Sequence, residues 1–358
     1  MPHRRLRRRS HLYVIHYHRT FAAHIRLLDP LHRWGTQDGY LFTLVAAQGY
    51  HVWWHAMMWP AIPGLEHLLA PIFGGDYVIA GMVASNAAFF GTLVALRALT
   101  ARELGAEAAR RAALYLAIFP TAFYFFAPYS ESLFLLLSIG TFAALRSRRW
   151  LLAGVIGCLA MLTRSAGALL VIPFAVEFFF AWRAGAARWW QGVWVALIPA
   201  AAGIFSGYLA LEHDDPLAYV HSGAYWGHTL HWPWESLLVS AQELLHHSHA
   251  NSITLTHLAL NLVTVLAFIA LVVVVLRRLP LSYGLYSAAI VLYFLSLGQS
   301  QALFMVTGNG RYVLMVFPAF MLLGAWGRKR WLDQALLITM PALLALLTAH
   351  FLLLLASG

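Results

Sequence analysis

Five long stretches of this chain contain no Asp, Glu, Lys or Arg. They are residues 77–96, 189–211, 253–276, 279–298 and 335–355. A helix needs about 20 apolar residues to cross the roughly 30 Å of hydrocarbon in a bilayer, so each stretch is long enough to span a membrane. We therefore predict an all-α, polytopic membrane protein.

The composition excludes an ordinary soluble domain. The chain is 61% hydrophobic and 11% charged, whereas soluble domains carry about 25% charged residues. The net charge of +10 could suit a nucleic acid. However, the arginines form short clusters between the apolar stretches, as in cytoplasmic loops under the positive-inside rule. We therefore expect membrane lipid and no nucleic acid as partners.

Residue usage gives a weaker indication of compartment. Lys329 is the only lysine among 24 Lys and Arg residues, which favours a GC-rich bacterial genome. This pattern favours a bacterial plasma membrane, or the endoplasmic reticulum membrane if the host is eukaryotic. Cys158 is the single cysteine, so no intramolecular disulfide can form.

The chain from 31 to 358 is expected to form a single polytopic membrane domain. It would contain about ten transmembrane or partly spanning helices, with two long external loops at 31–76 and 212–252. The segment 1–30 is basic and fits this scheme poorly. It either stands in place of a first transmembrane helix or lies at the interface as an amphipathic helix.

Two charged residues interrupt apolar sequence and indicate a site. Glu131 lies within 112–145 and Arg164 within 150–182. Counted at about 1.5 Å per residue from the basic cluster at 146–149, both reach roughly 20 to 25 Å above one membrane face, so they can meet. A charge at that depth usually marks a functional site. The alternative is a buried structural ion pair.

Neighbouring segments support a cavity at the same height. Residues 133–145 and 150–163 are too short to span alone. Their outer ends are therefore expected in a protein-lined or wet cavity open to the external side. Counted back from Arg328, Arg311 comes to about 25 Å, close to the height of Glu131 and Arg164.

Motifs spread over residues 30–325 resemble those of one family. They are Asp38-Gly-Tyr-Leu-Phe with Gly49-Tyr50, Met58-Trp-Pro, Tyr129-Ser-Glu-Ser-Leu-Phe134, Thr163-Arg164-Ser-Ala-Gly167, Asp215-Pro-Leu-Ala-Tyr with Trp226, and Gly310-Arg-Tyr312. Together they resemble the GPI mannosyltransferase II (phosphatidylinositol-glycan class V) family and its bacterial relatives. The chain departs from the family pattern at Gln37, where Trp is usual, and at Leu41, where an aromatic residue is usual.

The resemblance implies a membrane glycosyltransferase with a GT-C-like fold. Such an enzyme would transfer a hexose, here mannose, from a polyprenyl-phosphate sugar to a lipid or glycan acceptor on the external face, with inversion. The chemistry needs a base for the acceptor hydroxyl and cations for the departing phosphate. Asp38 suits the base, unless it only caps the following helix. Arg164 and Arg311 suit the phosphate, unless they only pair with Glu131.

Other side chains are candidates for supporting roles. Glu131 would orient an arginine or bind a sugar hydroxyl, and orientation is favoured. Tyr129, Ser130 and Ser132 would offer hydroxyls to phosphate or sugar, with helix capping as the alternative. Trp226, like Trp59, could stack on a sugar or line a lipid groove, although aromatic anchoring at the membrane interface is the more common role.

The histidines at 228, 231, 246, 247 and 249 do not have the fixed ligand spacing of a metal site. They are interpreted as a solvated, pH-sensitive loop. No metal or other cofactor is predicted.

A second function class would use the same charges. A transporter or flippase of a lipid-linked sugar would place them along its path. Such proteins often have inverted repeats and matching broken helices, and this sequence contains neither. A scaffold without chemistry would leave the three charges at one depth unexplained.

Overall fold

The computed structural model describes residues 31–246, 252–299 and 309–354. The prediction for the basic segment 1–30 lies outside the described residues. The described part is almost entirely helical, which confirms the all-α, polytopic membrane class. Five helical segments are long and apolar enough to cross a membrane: Tyr77–Leu104, Ser165–Arg183, Trp189–His213, Leu258–Arg278 and Arg330–Leu352.

The elements follow one another with short connections. In chain order they are α1 (Asp38–Gln48), α2 (Ala61–Leu69), α3 (Tyr77–Leu104), α4 (Ala106–Ala117), α5 (Glu131–Arg146), α6 (Trp150–Thr163), α7 (Val171–Arg183), α8 (Leu197–His213), α9 (Ala218–Tyr225), β1 (His228–Leu230), α10 (Pro233–His246), α11 (Ser252–Arg278), α12 (Leu281–Ser296), β2 (Leu297–Gln299), α13 (Asn309–Tyr312), α14 (Phe317–Trp326) and α15 (Arg330–Leu354). Short 3₁₀ turns link several of them, notably Ser165–Leu170 before α7 and Trp189–Ala196 before α8.

Four of the five predicted spans are confirmed, and one is wrong. The stretch 279–298 forms only α12, whose 16 residues extend about 24 Å, short of a full crossing. The helix ends because residues 297–299 turn into the strand β2. The remaining long span comes from Ser165–Arg183, the second half of the apolar stretch 150–182.

Two partly spanning helices, α5 and α6, form a tight hairpin. The chain reverses at 147–149, where Arg148 has a left-handed φ of 57°. Because the helices run antiparallel and have similar lengths, 16 and 14 residues, their outer ends lie at the same height. This arrangement places Glu131, which begins α5, next to Arg164, which follows α6.

An ion network ties four helices together at the arginine-rich end. Arg146 of α5 donates to both carboxylate oxygens of Glu103 on α3, at 2.8 and 3.2 Å. It also donates to Glu177 on α7 at 3.3 Å. Glu177 in turn accepts a hydrogen bond from Ser282 at the start of α12, and Tyr283 donates to Glu103.

A small antiparallel ribbon joins two segments that are distant in the sequence. In it β1 pairs with β2, in the register His228↔Gln299, Thr229↔Gly298 and Leu230↔Leu297. The sequence analysis did not predict these strands. They connect the segment after α9 to the end of α12.

The helices α4 and α14 pack at a glycine. A Cβ atom on Gly324 would meet the carbonyl oxygen of Ala108 and lie 2.8 Å from the nitrogen of Ala112. We expect Gly324→Ala to destabilise the fold by about 1 to 3 kcal/mol, since backbone atoms cannot yield as a flexible side chain can. Thermal unfolding in detergent measures this. Gly64→Ala is the matched control, because its Cβ would meet no atom within 4 Å. Equal melting temperatures for both variants would contradict the packing.

Candidate active site

Four charged side chains meet at the outer end of the α5–α6 hairpin. Arg164 Nη1 donates to Glu131 Oε1 at 2.6 Å. Arg311 Nη2 donates to Asp38 Oδ2 at 2.5 Å. Arg311 Nε lies 3.4 Å from the same Glu131 oxygen. The residues come from α1, α5, the end of α6 and α13, so the fold brings together four separate parts of the chain. We call these four residues the charged cluster.

Asp38 does not serve as a helix cap. It is the first residue of α1, and the capping position belongs to Gln37, whose side chain makes no capping bond. Gln37 has a φ of 53°, a conformation that non-glycine residues rarely adopt and that tends to occur at functional sites. The Asp38 side chain is 35% exposed and is the most accessible member of the charged cluster.

Glu131 is the most enclosed member of the charged cluster. Its side chain is 1% exposed, and its Oε2 has no hydrogen-bond partner in the part of the chain that the structure describes. Arg311 Nε is likewise buried without a hydrogen-bond partner there. A buried carboxylate between two guanidinium groups holds both in place, which agrees with the predicted orienting role.

Aromatic rings enclose the two guanidinium groups. The Arg311 carbon Cζ lies 5.6, 5.5 and 5.0 Å from the ring centres of Tyr124, Tyr129 and Tyr312, and Arg164 lies 5.2 Å from Tyr312. These are cation–π distances. Tyr124 and Tyr312 were not among the predicted site residues. The signals for them in the sequence are that Tyr312 ends the motif Gly310-Arg-Tyr312 and that Tyr124 stands five residues before Tyr129.

The predicted hydroxyl residues have different surroundings. Ser130 Oγ accepts a hydrogen bond from Arg164 at 2.7 Å, so it belongs to the site. Tyr129 presents its ring to Arg311 while its hydroxyl donates to the Thr36 carbonyl at 3.0 Å. Ser132 is turned away and donates to the Phe125 carbonyl. Residues 131 and 132 differ because successive helical side chains point about 100° apart.

The two predicted tryptophans pack within the protein. The Trp226 indole donates to the Trp54 carbonyl at 2.9 Å, which joins the loop after α9 to the loop before α2. Trp59 is 5% exposed and packs against Phe205 and Tyr219. The contact of either tryptophan with a sugar or a lipid stays a prediction.

Histidine 228 is closer to the site than the sequence analysis expected. It is half-buried on β1, whereas Thr229 and Leu230 are exposed. Burial lowers the pKa of His228, Arg311 lowers it further, and the opposing charge of Asp38 does not reverse that direction. The interpretation of His228 as a solvated loop residue is therefore wrong.

The other predicted loop histidines are only partly covered. His231 is in the described part, residues 247 and 249 lie outside the described residues, and for His246 the backbone alone is described. The described residues contain no group of three or more His, Cys, Asp or Glu that could hold a metal ion.

The charged cluster stabilises its own ionised states. Burial would raise the pKa of Asp38, but the adjacent Arg311 guanidinium lowers it, and the net shift is downward. Burial would lower the pKa of Arg311, but Asp38 and other neighbours raise it well above its usual range. Both groups are therefore charged at neutral pH.

The Asp38 carboxylate should stabilise the fold down to acidic pH. Because its folded-state pKa lies below the ordinary value of 3.8, its contribution is present above that value and is lost only as the pH falls through the folded-state pKa. We expect the difference in melting temperature between the native chain and Asp38→Asn to stay constant from about pH 8 to about pH 5 and to shrink below about pH 4. If the difference in melting temperature disappeared between about pH 8 and about pH 5, this prediction would be contradicted.

Comparison with known proteins finds one similar structure. No protein-family model matches the chain, and no curated protein matches it. Among solved structures, the chain is similar to ArnT from Cupriavidus metallidurans, crystallised with undecaprenyl phosphate bound. The sequence identity is 14% and the TM-score 0.49, over 76% of this chain and 50% of ArnT. This chain therefore spans about half the length of that protein.

Proposed function

We propose that this chain is a membrane glycosyltransferase that transfers a hexose from a polyprenyl-phosphate sugar to a lipid or glycan acceptor at the external face. Mannose is the sugar that the sequence resemblance favours. The observation that carries the proposal is the charged cluster, in which an accessible carboxylate lies beside two guanidinium groups held from behind by Glu131.

The exposure of these side chains is graded in a way that suits this reaction. Asp38 is 35% exposed, Arg164 18%, Arg311 13% and Glu131 1%. An acceptor entering from the external side would reach the carboxylate first. The arginines are less exposed, and they would meet the phosphate of a lipid-linked donor that enters from the membrane.

The arginines retain donors for a phosphate. In its two bonds within the site Arg164 uses only Nη1, which leaves Nε and Nη2 for a ligand. A guanidinium presents a rigid fork that matches two phosphate oxygens and stays charged at any physiological pH. These donors would stabilise the negative charge that develops on the departing phosphate.

The proposed reaction is a single displacement. The acceptor oxygen forms a bond to the anomeric carbon while the bond from that carbon to the phosphate oxygen breaks. The polyprenyl phosphate leaves with that electron pair, and the acceptor proton passes to the Asp38 carboxylate. A carboxylate with a lowered pKa is a weak base, so it removes the proton late, after the hydroxyl has become acidic in an oxocarbenium-like transition state.

Transfer of labelled sugar tests this function. The full chain is reconstituted in liposomes with a lipid extract and radiolabelled polyprenyl-phosphate mannose or glucose. We expect label to appear in the acceptor fraction. Arg164→Lys should lower transfer about tenfold or more, since an ammonium keeps the charge and loses the fork. Arg183→Lys, an exposed arginine at the other end, is the matched control and should match the native chain.

The outcomes separate the candidate functions. If label reaches the acceptor only from polyprenyl-phosphate mannose, the result supports a mannosyltransferase. If label reaches it only from polyprenyl-phosphate glucose, the transferred sugar is glucose and not mannose. Donor that crosses the bilayer without transfer would overturn the enzyme in favour of the transporter. Equal transfer by both arginine variants would overturn the phosphate role of Arg164.

A further inference from the structure

A groove of about 590 Å³ opens at the arginine-rich end, away from the charged cluster. One wall is the first part of α6, the other is the turn Trp189–Ala196, and Arg148 and Arg149 stand at its rim. A second hollow of about 310 Å³ continues from it through Trp190 toward Arg188. We call the first of these the arginine groove.

The two walls of the arginine groove approach each other closely at Gly154. A Cβ on Gly154 would meet the carbonyl oxygen of Trp194 and lie 3.2 Å from its carbonyl carbon. The glycine therefore lets the backbones approach there. Nearer to Arg149 the walls separate, and the space between them stays open.

The floor and wall of the arginine groove are apolar. Leu151, Leu152 and Val155 are 48%, 42% and 43% exposed, and their spacing of three and four residues puts them on one face of α6. Trp190 is also 43% exposed on the opposite wall. Val155 lies about 9 Å along the helix axis from Arg149, so the apolar surface runs from the rim toward the membrane interior.

The rim carries positive charge that is not neutralised. Arg148 and Arg149 are exposed, and the ion pairs found among the described residues include neither of them. Arg146, by contrast, is bound to Glu103 and Glu177. The N-cap residue of α6 makes no side-chain capping bond, so the positive end of the helix faces the same rim.

We propose that the arginine groove binds an anionic phospholipid of the adjoining leaflet, with its phosphate on Arg148 and Arg149 and an acyl chain along Leu152 and Val155. A cationic rim continuous with an exposed apolar trough complements a lipid of this kind. Basic clusters between membrane helices at the cytoplasmic side attract anionic headgroups. This site is independent of the sugar-transfer reaction.

Native mass spectrometry of the purified full-length chain in detergent tests the proposal. Phosphatidylglycerol, phosphatidylcholine and inorganic phosphate are titrated separately. We expect phosphatidylglycerol to bind best and the double variant Arg148→Gln, Arg149→Gln to bind it about thirtyfold more weakly, from two surface arginines. The matched control is Arg277→Gln, Arg278→Gln, an adjacent exposed pair at the end of α11, and it should bind normally.

A second variant guards against loss of fold. Val155→Trp fills the apolar part of the arginine groove and leaves both arginines in place, so it should also weaken phosphatidylglycerol binding. The melting temperature of each variant without added lipid shows whether it folds. The proposal is overturned if both double variants bind alike, if phosphatidylcholine binds as well as phosphatidylglycerol, or if inorganic phosphate competes at the same affinity as the lipid.

Discussion

Replacing Asp38 with asparagine should lower sugar transfer about 10²- to 10⁴-fold, the usual contribution of a general base. The amide oxygen of asparagine can still accept the hydrogen bond that Arg311 now donates to Asp38. The variant should therefore fold while lacking a group that can take the acceptor proton. Initial rates of label transfer in liposomes measure the loss.

An aspartate on the other external loop provides the control. Asp215 is bonded to His221 at 2.7 Å and is separate from the charged cluster. Asp215→Asn should transfer sugar at close to the native rate. A folded Asp38→Asn protein that works as fast as the Asp215→Asn protein would show that Asp38 is not the base.

The largest effect on stability should come from Glu131→Ala. The side chain is 1% exposed and lies against two guanidinium groups, so its removal leaves Arg164 buried without its counter-charge. Breaking a buried ion pair from one side costs about 3 to 5 kcal/mol. Thermal unfolding in detergent measures this loss. Glu107→Ala is the control, because Glu107 is 69% exposed and surface pairs contribute about 1 kcal/mol or less.

A double replacement separates the structural role from the chemical one. Glu131→Leu with Arg164→Met removes both charges and fills the space with apolar atoms, which is often neutral or stabilising for a buried pair. We expect this variant to melt well above Glu131→Ala and yet to transfer no sugar. If activity returned together with stability, the pair would be only structural, as the alternative interpretation of the sequence holds.

Counting along helices predicted the heights of the charged residues well. Glu131 and Arg164 begin and follow the two arms of one short hairpin, so a constant rise from a common base gives both positions. The count back from Arg328 also placed Arg311 with them, although the 3₁₀ turn Val313–Met315 interrupts the helix between the two residues. A motif does not show in which direction each side chain points around the helix axis. For this reason Ser132 was expected in the site beside Glu131.

Short and irregular elements could not be predicted from the pattern of apolar and polar residues. A strand of three residues such as β1 has no measurable alternation, so the proximity of His228 to Asp38 was not foreseen. The apolar stretch that forms α12 carries on into β2 without a change in composition, and its length was therefore overestimated. Trp226 is not part of a periodic pattern of apolar residues. Hydropathy alone therefore did not reveal its hydrogen bond to Trp54.

Glu103 and Glu177 were missed for a different reason. Glu103 lies near the end of α3 among clustered arginines, where an acid looks like an ordinary loop residue, whereas Glu177 lies in the middle of α7. Only the fold shows that both bind Arg146.

The ion network at Arg146 has a mechanical consequence. The helix α5 begins at Glu131 within the charged cluster and ends at Arg146 within this second network, so it is anchored electrostatically at each of its two ends. Tilting or sliding it would break bonds at both ends of the helix at once. The helix α5 is therefore held in place. A movement that admits a bulky substrate must take place in the other helices.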